Sequence, residues 1–319
     1  MEGFSVPNLL KNSEYEKAFY SMDGVRNTLL KYRYKKALLT DNKILTSWNA
    51  LLIAALAKAS VMTGNKKYLD SAVAAFGFID KRLKDADGKL FLRICDGETK
   101  FDGQLDDYAF LGWAAIELYE ATFDVNYLKK ADEICEMAYS LFGDNAGGLY
   151  FYSESSEQLI RRPKEYYDGA MPSGNSVAAY AFYKLSRLTG QTKWIERSRK
   201  QFEVLTTQSE HYPGAHAFAM FAMSDALYPS YELICTTDNG SVPKCIRDLQ
   251  KIAAVKNISI LVKNNKNAEM LGDIAQFTKD YPIGDKTLYY LCKNGSCARP
   301  TDNIEDICLK LKLGREFCV

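Results

Sequence analysis

Four residues have side chains whose type and position suit acid/base chemistry on a small molecule. Asp106 and Asp107 precede one long apolar segment, Asp168 precedes another, and His211 stands before a third. Carboxylates from different segments around one pocket can act as general acid and general base on a sugar. A single helix cap does not need two adjacent carboxylates. We therefore predict Asp106, Asp107, Asp168 and His211 as catalytic residues, whereas His216, inside the apolar run AHAFAMF, is expected to lie in the core.

A second set of residues has side chains that bind sugar hydroxyl groups or stack on a sugar ring. The predicted substrate-binding residues are Asp41, Lys43, Trp48, Asn49, Tyr108, Ser173 and Asn175. Most have a structural alternative, because Ser and Asn are common helix caps and aromatic rings pack in cores. No metal is expected, since the Asp-Asp pair lacks the third carboxylate one turn later that an isoprenoid-cyclase site requires. No cofactor is expected either, since the sequence has no phosphate loop or nucleotide fingerprint.

Most of these residues fall near the starts of helices that an internal repeat predicts. The segments TGNKKYLDSA, TFDVNYLKKA and TGQTKWIERS align without gaps, at offsets of 59 and 67 residues. Each follows an apolar segment and opens an amphipathic one, so each repeat pairs an inner helix with an outer helix. The same offsets place Asn49, Tyr108 and Asn175 at equivalent helix starts.

Repeated helical hairpins form either an open solenoid or a closed α/α toroid. The inner-to-outer turns are about five residues long, whereas the connections 84–105 and 143–173 run to twenty or thirty residues. Connections of that length are unusual. They must all lie on the face where the inner helices begin, together with small β-hairpins. We predict that this face carries the site, and that a fourth inner helix begins near His211 and ends before Pro229.

The pattern changes after Pro229. The strand-like runs YELICTT, NISILVK and TLYYLC alternate with helical stretches at 243–254 and 268–279, and a helix at 303–313 follows. We predict a mainly α protein with two domains. Residues 1–229 form a helical-hairpin toroid domain, which includes a helix over 14–36, and residues 230–319 form a small α/β domain.

The charge composition disfavours two classes of binding partner. Forty-one Lys and Arg against forty Asp and Glu give a net charge of +1, which disfavours nucleic acid and anionic membranes as partners. The sequence has neither a bilayer-length apolar run nor a signal-peptide pattern, so a cytoplasmic location is predicted.

None of the eight cysteines forms a Cys-x-x-Cys pair. We expect reduced thiols and no disulfide. Cys292 and Cys297 could form a redox or metal pair, but a strand, an Asn-Gly turn and buried thiols are favoured, since a zinc site needs about four ligands and none stand nearby.

Four motifs resemble a known family. DNKILTSWNALLIAALAKA, QLDDYAFL, DGAMPSGNSVAA and YLCKNGSCARP resemble the C-terminal part of the spermatogenesis-associated, thioredoxin-domain-containing (YyaL-type) family. The resemblance implies an N-terminal thioredoxin-like domain, then an (α/α)6 toroid similar to N-acylglucosamine 2-epimerases and six-hairpin glycosidases, then a small α/β domain. Residues 2–10 resemble the family segment before the third inner helix, so the thioredoxin-like domain and two hairpins are expected to be absent here. Asn42 and Ala50 replace the Asp and Gly usual in the family.

Two functions remain open at this point. The first is a domain that binds a carbohydrate-like small molecule, related to sugar epimerases and glycosidases, with acid/base epimerase, isomerase or hydrolase activity. The alternative is a non-catalytic scaffold or regulatory module that partners a thioredoxin-like domain. An incomplete ring exposes apolar flanks of its inner helices, which predicts self-association or the N-terminal part as a partner.

Overall fold

The computed structural model describes residues 17, 22–35, 40–156, 160–253, 257–293 and 296–313. The chain divides into two compact units, residues 1–42 and 43–319. The first unit contains helix α1 (Asp23–Tyr34), which has Lys31 and Arg33 in its last turn. The predicted helix over 14–36 is confirmed for this span, and residues 14–16, 18–21 and 36 lie outside the described part.

The second unit begins with three helical hairpins and a further inner helix. The inner helices are α2 (Thr46–Thr63), α4 (Leu105–Thr122) and α6 (Gly174–Thr189), and their outer partners are α3 (Lys66–Arg82), α5 (Val125–Phe142) and α7 (Thr192–Ser209). A 3-10 turn, Pro213–His216, then leads into the fourth inner helix, α8 (Ala217–Leu227).

The fourth inner helix begins later than predicted. His211 lies in the preceding loop, because Pro213 opens the 3-10 turn and His216 has a non-helical backbone with φ −133° and ψ 43°. The α-helix can begin only after that residue.

The inner helices pack side by side in chain order, α2 on α4, α4 on α6 and α6 on α8, and each of the first three packs on its own outer helix. Helix α4 is buried on nearly every side, whereas α5 buries one face. These contacts confirm the predicted inner/outer pairing. The fold is an incomplete α/α toroid, with three complete hairpins and a fourth inner helix among the described residues, followed by a small α/β region.

The repeat extends to the backbone that ends each inner helix. Gly64, Phe123 and Gly190 lie 59 and 67 residues apart, and all three have left-handed φ angles, of 70°, 59° and 66°. A left-handed residue that is not glycine costs about 1–2 kcal/mol. Phe123 offsets that strain by burying its ring against Tyr119, at 6.1 Å between ring centroids.

Two sheets complete the fold. The first is antiparallel, in the order β1 (Ile44–Leu45), β2 (Phe91–Cys95), β3 (Glu98–Asp102), and it joins the start of α2 to the connection before α4. Strands β2 and β3 therefore confirm one of the small β-hairpins predicted for the long connections. In the connection 143–173, the apolar run GLYFY (residues 148–152) forms no strand. Its pairing is limited to a single bridge between Leu149 and Gly143.

The second sheet has four strands in the order β5-β4-β6-β7, with β4 and β5 parallel and the other pairs antiparallel. Its elements are β4 (Tyr231–Thr237), α9 (Lys244–Ala253), β5 (Ile258–Asn264), α10 (Ala268–Ile274), β6 (Leu288–Lys293), β7 (Ser296–Cys297) and α11 (Ile304–Lys310). This confirms the predicted alternation of strands and helices. The boundary at residues 229 and 230 stays a prediction.

The expectation of no disulfide is wrong, because Cys292 and Cys297 are bonded to each other. Strands β6 and β7 place the two residues directly opposite one another, a register that sequence spacing does not reveal. Cys95, Cys135 and Cys235 are free thiols, as is Cys245.

In the part of the chain that the structure describes, no helix combines the length and apolar character needed to cross a bilayer.

Candidate functional site

Asp107 joins the starts of two neighbouring inner helices. Its carboxylate accepts the backbone N–H of Ser47 at 2.9 Å, in the first turn of α2, and the N–H of Gln104 at 2.8 Å, at the N-cap of α4. The first amides of a helix have no partner within the helix, so one carboxylate satisfies donors from two helices. Both oxygens of Asp107 are thereby occupied.

Asp106 and Asp168 make the same kind of connection between the next helices. The Asp106 carboxylate on α4 accepts the backbone N–H of Gly174, at the start of α6. Asp168 accepts the N–H of Ser173 at 2.8 Å, before α6, and those of Phe218 and Ala219 at 2.9 and 3.0 Å, in α8. We call Asp106, Asp107 and Asp168 the interhelix carboxylates. They link all four inner helices in chain order, at the face where the sequence predicts the site.

Burial changes the acidity of two interhelix carboxylates. Burial raises the pKa of Asp107 to about 7 although backbone amides and Ser47 stabilise its charge. Burial also raises the pKa of Asp106 to about 6, against the stabilising Gly174 amide and with a further rise from the nearby charge of Glu165. Asp106 is partly exposed whereas Asp107 is buried. Asp106 is therefore a carboxyl that both meets solvent and titrates near neutral pH.

Tyr108 and Asn175, predicted to bind substrate, each form hydrogen bonds with the backbone of one long connection. The Tyr108 hydroxyl accepts the N–H of Leu90 at 2.8 Å, and the Asn175 amide bonds both the N–H and the C=O of Leu149, at 2.7 and 2.9 Å. Leu90 and Leu149 are themselves 59 residues apart. Both side chains are buried, so each fixes its connection to the start of an inner helix.

The other predicted binding residues lie in varied surroundings. Asn49 donates to the C=O of Leu45 at 2.8 Å, and Ser173 caps α6 by accepting the N–H of Ser176. Trp48 is 60% exposed at the start of α2. Lys43 is exposed immediately before β1, and Asp41 is exposed within the first unit.

The histidines lie before the fourth inner helix. His211 is exposed in the loop. His216 is partly buried and its Nδ1 is 2.8 Å from the C=O of Tyr166, which makes Nδ1 the protonated nitrogen because a carbonyl can only accept. The Nε2 atom of neutral His216 is then a proton acceptor.

Apart from Thr122 at its C-terminal end, helix α4 meets solvent along a single line. All of its residues are buried except Asp106, Trp113, Glu120 and Thr122. Asp106 and Trp113 are seven residues apart, which places them on one face and about 10 Å apart along the axis. The Trp113 ring packs against Tyr180 of α6 and Phe218 of α8, at 6.1 and 5.2 Å between centroids.

Further along the inner helices from these rings lies a layer of charged side chains, which we call the ionic layer, and of these Glu117 and Lys184 are buried. Lys58 of α2 bonds Glu117 of α4 at 2.9 Å, and Lys184 of α6 pairs with Glu120 of α4. Burial disfavours the charge on Lys184, but Glu120, Glu117 and Asp225 outweigh it, so the pKa of Lys184 is raised. Glu117 also accepts the Trp113 Nε1–H at 2.6 Å.

The ionic layer was not predicted from the sequence, although the repeat contains it. Lys58, Glu117 and Lys184 lie 59 and 67 residues apart, so they are equivalent positions of three inner helices. A charged residue recurring at one position of otherwise apolar helices was the available signal.

A cavity of about 100 Å³ lies at the far end of the inner helices, between them and the second sheet. Its walls include Glu120, Phe123, Gln250 and Ile260. No grouping of three or more His, Cys, Asp or Glu side chains suited to a metal ion occurs within the described ranges.

Comparison with known sequences identifies relatives over one part of their length. The chain is 26% identical to spermatogenesis-associated protein 20 of Rattus norvegicus over 286 residues, which is 86% of this chain and 36% of the relative. It is 25% identical to the Homo sapiens protein of the same name over 317 residues, 95% of this chain and 39% of the relative. The chain thus spans little more than a third of the length of these curated relatives. No protein-family model matches it.

Comparison with solved structures finds distant likenesses. A GH76 α-mannanase of Bacteroides thetaiotaomicron has a TM-score of 0.48 and 17% identity, over 68% of this chain and 58% of that chain. Cellobiose 2-epimerase of Bacillus thermoamylovorans has a TM-score of 0.46 and 14% identity, over 89% and 75% respectively.

Proposed function

We propose that the face where the inner helices begin binds a carbohydrate-like small molecule. The observation that carries the proposal is the line along which α4 meets solvent, where a carboxyl of raised pKa, Asp106, precedes the indole of Trp113. An aromatic ring beside a polar group is the combination that packs on the apolar face of a sugar while bonding its hydroxyls.

Asp106 is the residue we propose for acid/base chemistry at this face. A pKa of about 6 leaves both protonation states populated near neutral pH, as a general acid or base requires. Asp107 and Asp168 are proposed to position the helix starts, since backbone amides occupy their oxygens. Epimerisation or isomerisation is the proposed reaction class if a histidine reaches the ligand, and hydrolysis if only carboxylates do.

Among the predicted binding residues, Lys43 and Trp48 are proposed to contact ligand directly, because their side chains are exposed. Tyr108 and Asn175 are proposed to act through the connections they hold.

A calorimetric and fluorescence titration with neutral mono- and disaccharides tests this proposal. A ligand at 100 times its Kd stabilises the fold by about 2.7 kcal/mol, so we expect a rise in Tm together with a change in indole fluorescence. Trp113→Phe is expected to reduce the fluorescence change, with the remainder coming from Trp48, and Asp106→Asn to weaken binding or stop turnover. The matched control is Asp70→Asn, at an exposed carboxylate of α3, which should bind like the parent. Absence of any shift with every sugar at tens of millimolar would overturn the proposal.

A second proposal concerns the flanks of the arc of inner helices. Leu52 and Met62 of α2 are 53% and 63% exposed, and Phe221 and Leu227 of α8 are 46% and 85% exposed. Large apolar side chains exposed at neighbouring positions mark binding surfaces. We propose that these flanks bind a further helical hairpin of the same type, from a segment equivalent to the part of the relatives that this chain does not span. On this proposal the chain serves as a scaffold module.

Sedimentation velocity over a range of concentrations tests the flank proposal, with purified hairpin segment as the added partner. We expect one segment to bind per chain, and Leu52→Lys with Phe221→Lys to abolish binding. Self-association without segment binding would instead assign the flanks to a second copy.

A further inference from the structure

The last two strands of the second sheet carry a cystine. Cys292 of β6 and Cys297 of β7 lie directly opposite each other and are joined by a disulfide. The N–H of Ala298 donates to the C=O of Leu291 at 2.9 Å, so the cysteines occupy the adjacent non-hydrogen-bonded pair. Side chains are closest at such pairs. The strand register therefore holds the two sulfurs together.

The fold gains little from this bond as a crosslink. It joins residues only five apart in sequence, and the stabilisation from a crosslink grows with the length of chain it closes. Backbone pairing between β6 and β7 already fixes the two residues face to face.

The two sulfurs differ in their access to solvent. Cys292 is 4% exposed, whereas Cys297 is exposed, on a strand at the edge of the sheet. Thiol–disulfide exchange proceeds by attack of a thiolate on one sulfur while the other leaves. A thiolate from solvent reaches Cys297, and Cys292 is then the leaving group.

A phenol lies beside both sulfurs. The Tyr281 hydroxyl is 3.1 Å from the Cys297 sulfur and 3.6 Å from the Cys292 sulfur. The Tyr281 ring is held by an edge-on contact with Tyr290, at 4.7 Å between centroids. A neutral phenol donates a hydrogen bond, so this hydroxyl can stabilise a thiolate at either sulfur as the bond breaks, and attack on the exposed Cys297 leaves that thiolate at Cys292. Burial raises the pKa of Tyr281, which keeps the phenol protonated.

We propose that Cys292–Cys297 is an exchange site that a dithiol reduces by attack on Cys297. One thiolate of the dithiol bonds to the Cys297 sulfur, and the electron pair of the broken disulfide leaves on Cys292. The second thiol of the dithiol then attacks the first sulfur of the same dithiol, which is bonded to Cys297 in the mixed disulfide, and releases Cys297 as a thiol. The dithiol is oxidised to a disulfide, the cystine is reduced, and the two protons of the dithiol pass to Cys292 and Cys297.

Alkylation mapping of the full chain tests the order of reduction. The protein is treated with increasing dithiothreitol, quenched with N-ethylmaleimide, and mapped by peptide mass spectrometry. We expect Cys292 and Cys297 to be alkylated at dithiol concentrations that leave Cys308, which is also disulfide-bonded, unmodified. The buried free thiols Cys135 and Cys235 report whether the fold stays closed. Reduction of Cys308 before the pair overturns the proposal.

Two single variants test the direction of attack. Cys292→Ser leaves the exposed thiol, and Cys297→Ser leaves the buried one. We expect oxidised glutathione to form a mixed disulfide at least tenfold faster with the first variant, and equal or reversed rates overturn the proposal. Should either variant not fold, Tyr281→Phe in the otherwise unchanged chain takes its place. It should slow dithiol reduction of the pair several-fold with an unchanged circular dichroism spectrum, and an unaltered rate contradicts the role of the phenol.

Discussion

Replacing Asp107 with asparagine removes a charge that the fold holds almost out of contact with water. The side chain is 1% exposed, and burial raises the pKa of its carboxyl from 3.8 to about 7. The folded protein therefore binds this proton more tightly than the unfolded chain does. Stability from this group is fully present below about pH 4 and is lost as pH rises through 7.

The magnitude follows from the size of the pKa shift. One pKa unit corresponds to 1.36 kcal/mol, so a rise from 3.8 to about 7 corresponds to a loss on the order of 4 kcal/mol between pH 4 and pH 8. The pKa of Asp106 is also raised, to about 6. Its ionisation therefore also lowers the stability of the fold as pH rises, over a lower pH range than that of Asp107. Asparagine resembles the protonated carboxyl, because it keeps one acceptor and turns a donor toward the second amide.

Urea unfolding at half-unit steps from pH 4.5 to pH 8.5 measures the effect. We expect Asp107→Asn to exceed the parent in stability by no more than about 1 kcal/mol at pH 4.5 and by about 4 kcal/mol at pH 8.5. Asp70→Asn, which changes an exposed carboxylate bonded to Lys66, should keep the parent profile. A profile for Asp107→Asn parallel to that of the parent would refute the assignment of a buried, weakly acidic carboxyl.

Three further substitutions test the contacts between inner helices, each by urea unfolding. Asp168→Ala removes the acceptor of three backbone amides and should lower the unfolding free energy by about 3 kcal/mol. Asp124→Ala, which removes a single N-cap of α5, should lower it by about 1 kcal/mol, and equal losses would contradict the bridging role. Lys184→Met removes the buried cation that pairs with Glu120 and faces Glu117, and it should lower the unfolding free energy by about 3–5 kcal/mol at pH 8. That loss should shrink at pH 5, and a loss independent of pH would count against the ionic layer. Gly174→Ala places a methyl group 2.5 Å from Asp106 Oδ1 and should lower it by about 1–3 kcal/mol. Gly77→Ala, with nothing within 4 Å in α3, should raise it by about 0.5–1 kcal/mol, and the same sign for both would be inconsistent with that contact.

The helical architecture was predictable because the repeat has a physical basis at several levels. The offsets of 59 and 67 residues recur in the left-handed residues Gly64, Phe123 and Gly190. They recur again in the threonines just before them, whose hydroxyls bond backbone C=O groups four residues earlier. A turn needs specific local residues, so its signal survives in sequence.

The site was less predictable because its contacts join residues far apart in sequence. The position of Asp107 in the first turn of α4 is visible in the sequence, but its bond to Ser47, sixty residues away, depends on how the helices pack. The ionic layer was overlooked because its charges find their partners only on the neighbouring helices. Cys292 and Cys297 pair through a strand register that spacing does not specify.

The order of positive and negative charges in the ionic layer also limits which helices can be added to it. Going from α2 to α8, Lys58, Glu117, Lys184 and Asp225 alternate in sign, and each contacts or electrostatically faces a neighbour of opposite charge. A helix added beside Lys58, whose side chain is 38% exposed, continues the alternation only if it brings an acidic residue, and one added beyond Asp225 only if it brings a basic residue. A closed ring built on this rule avoids two adjacent like charges only when its number of inner helices is even.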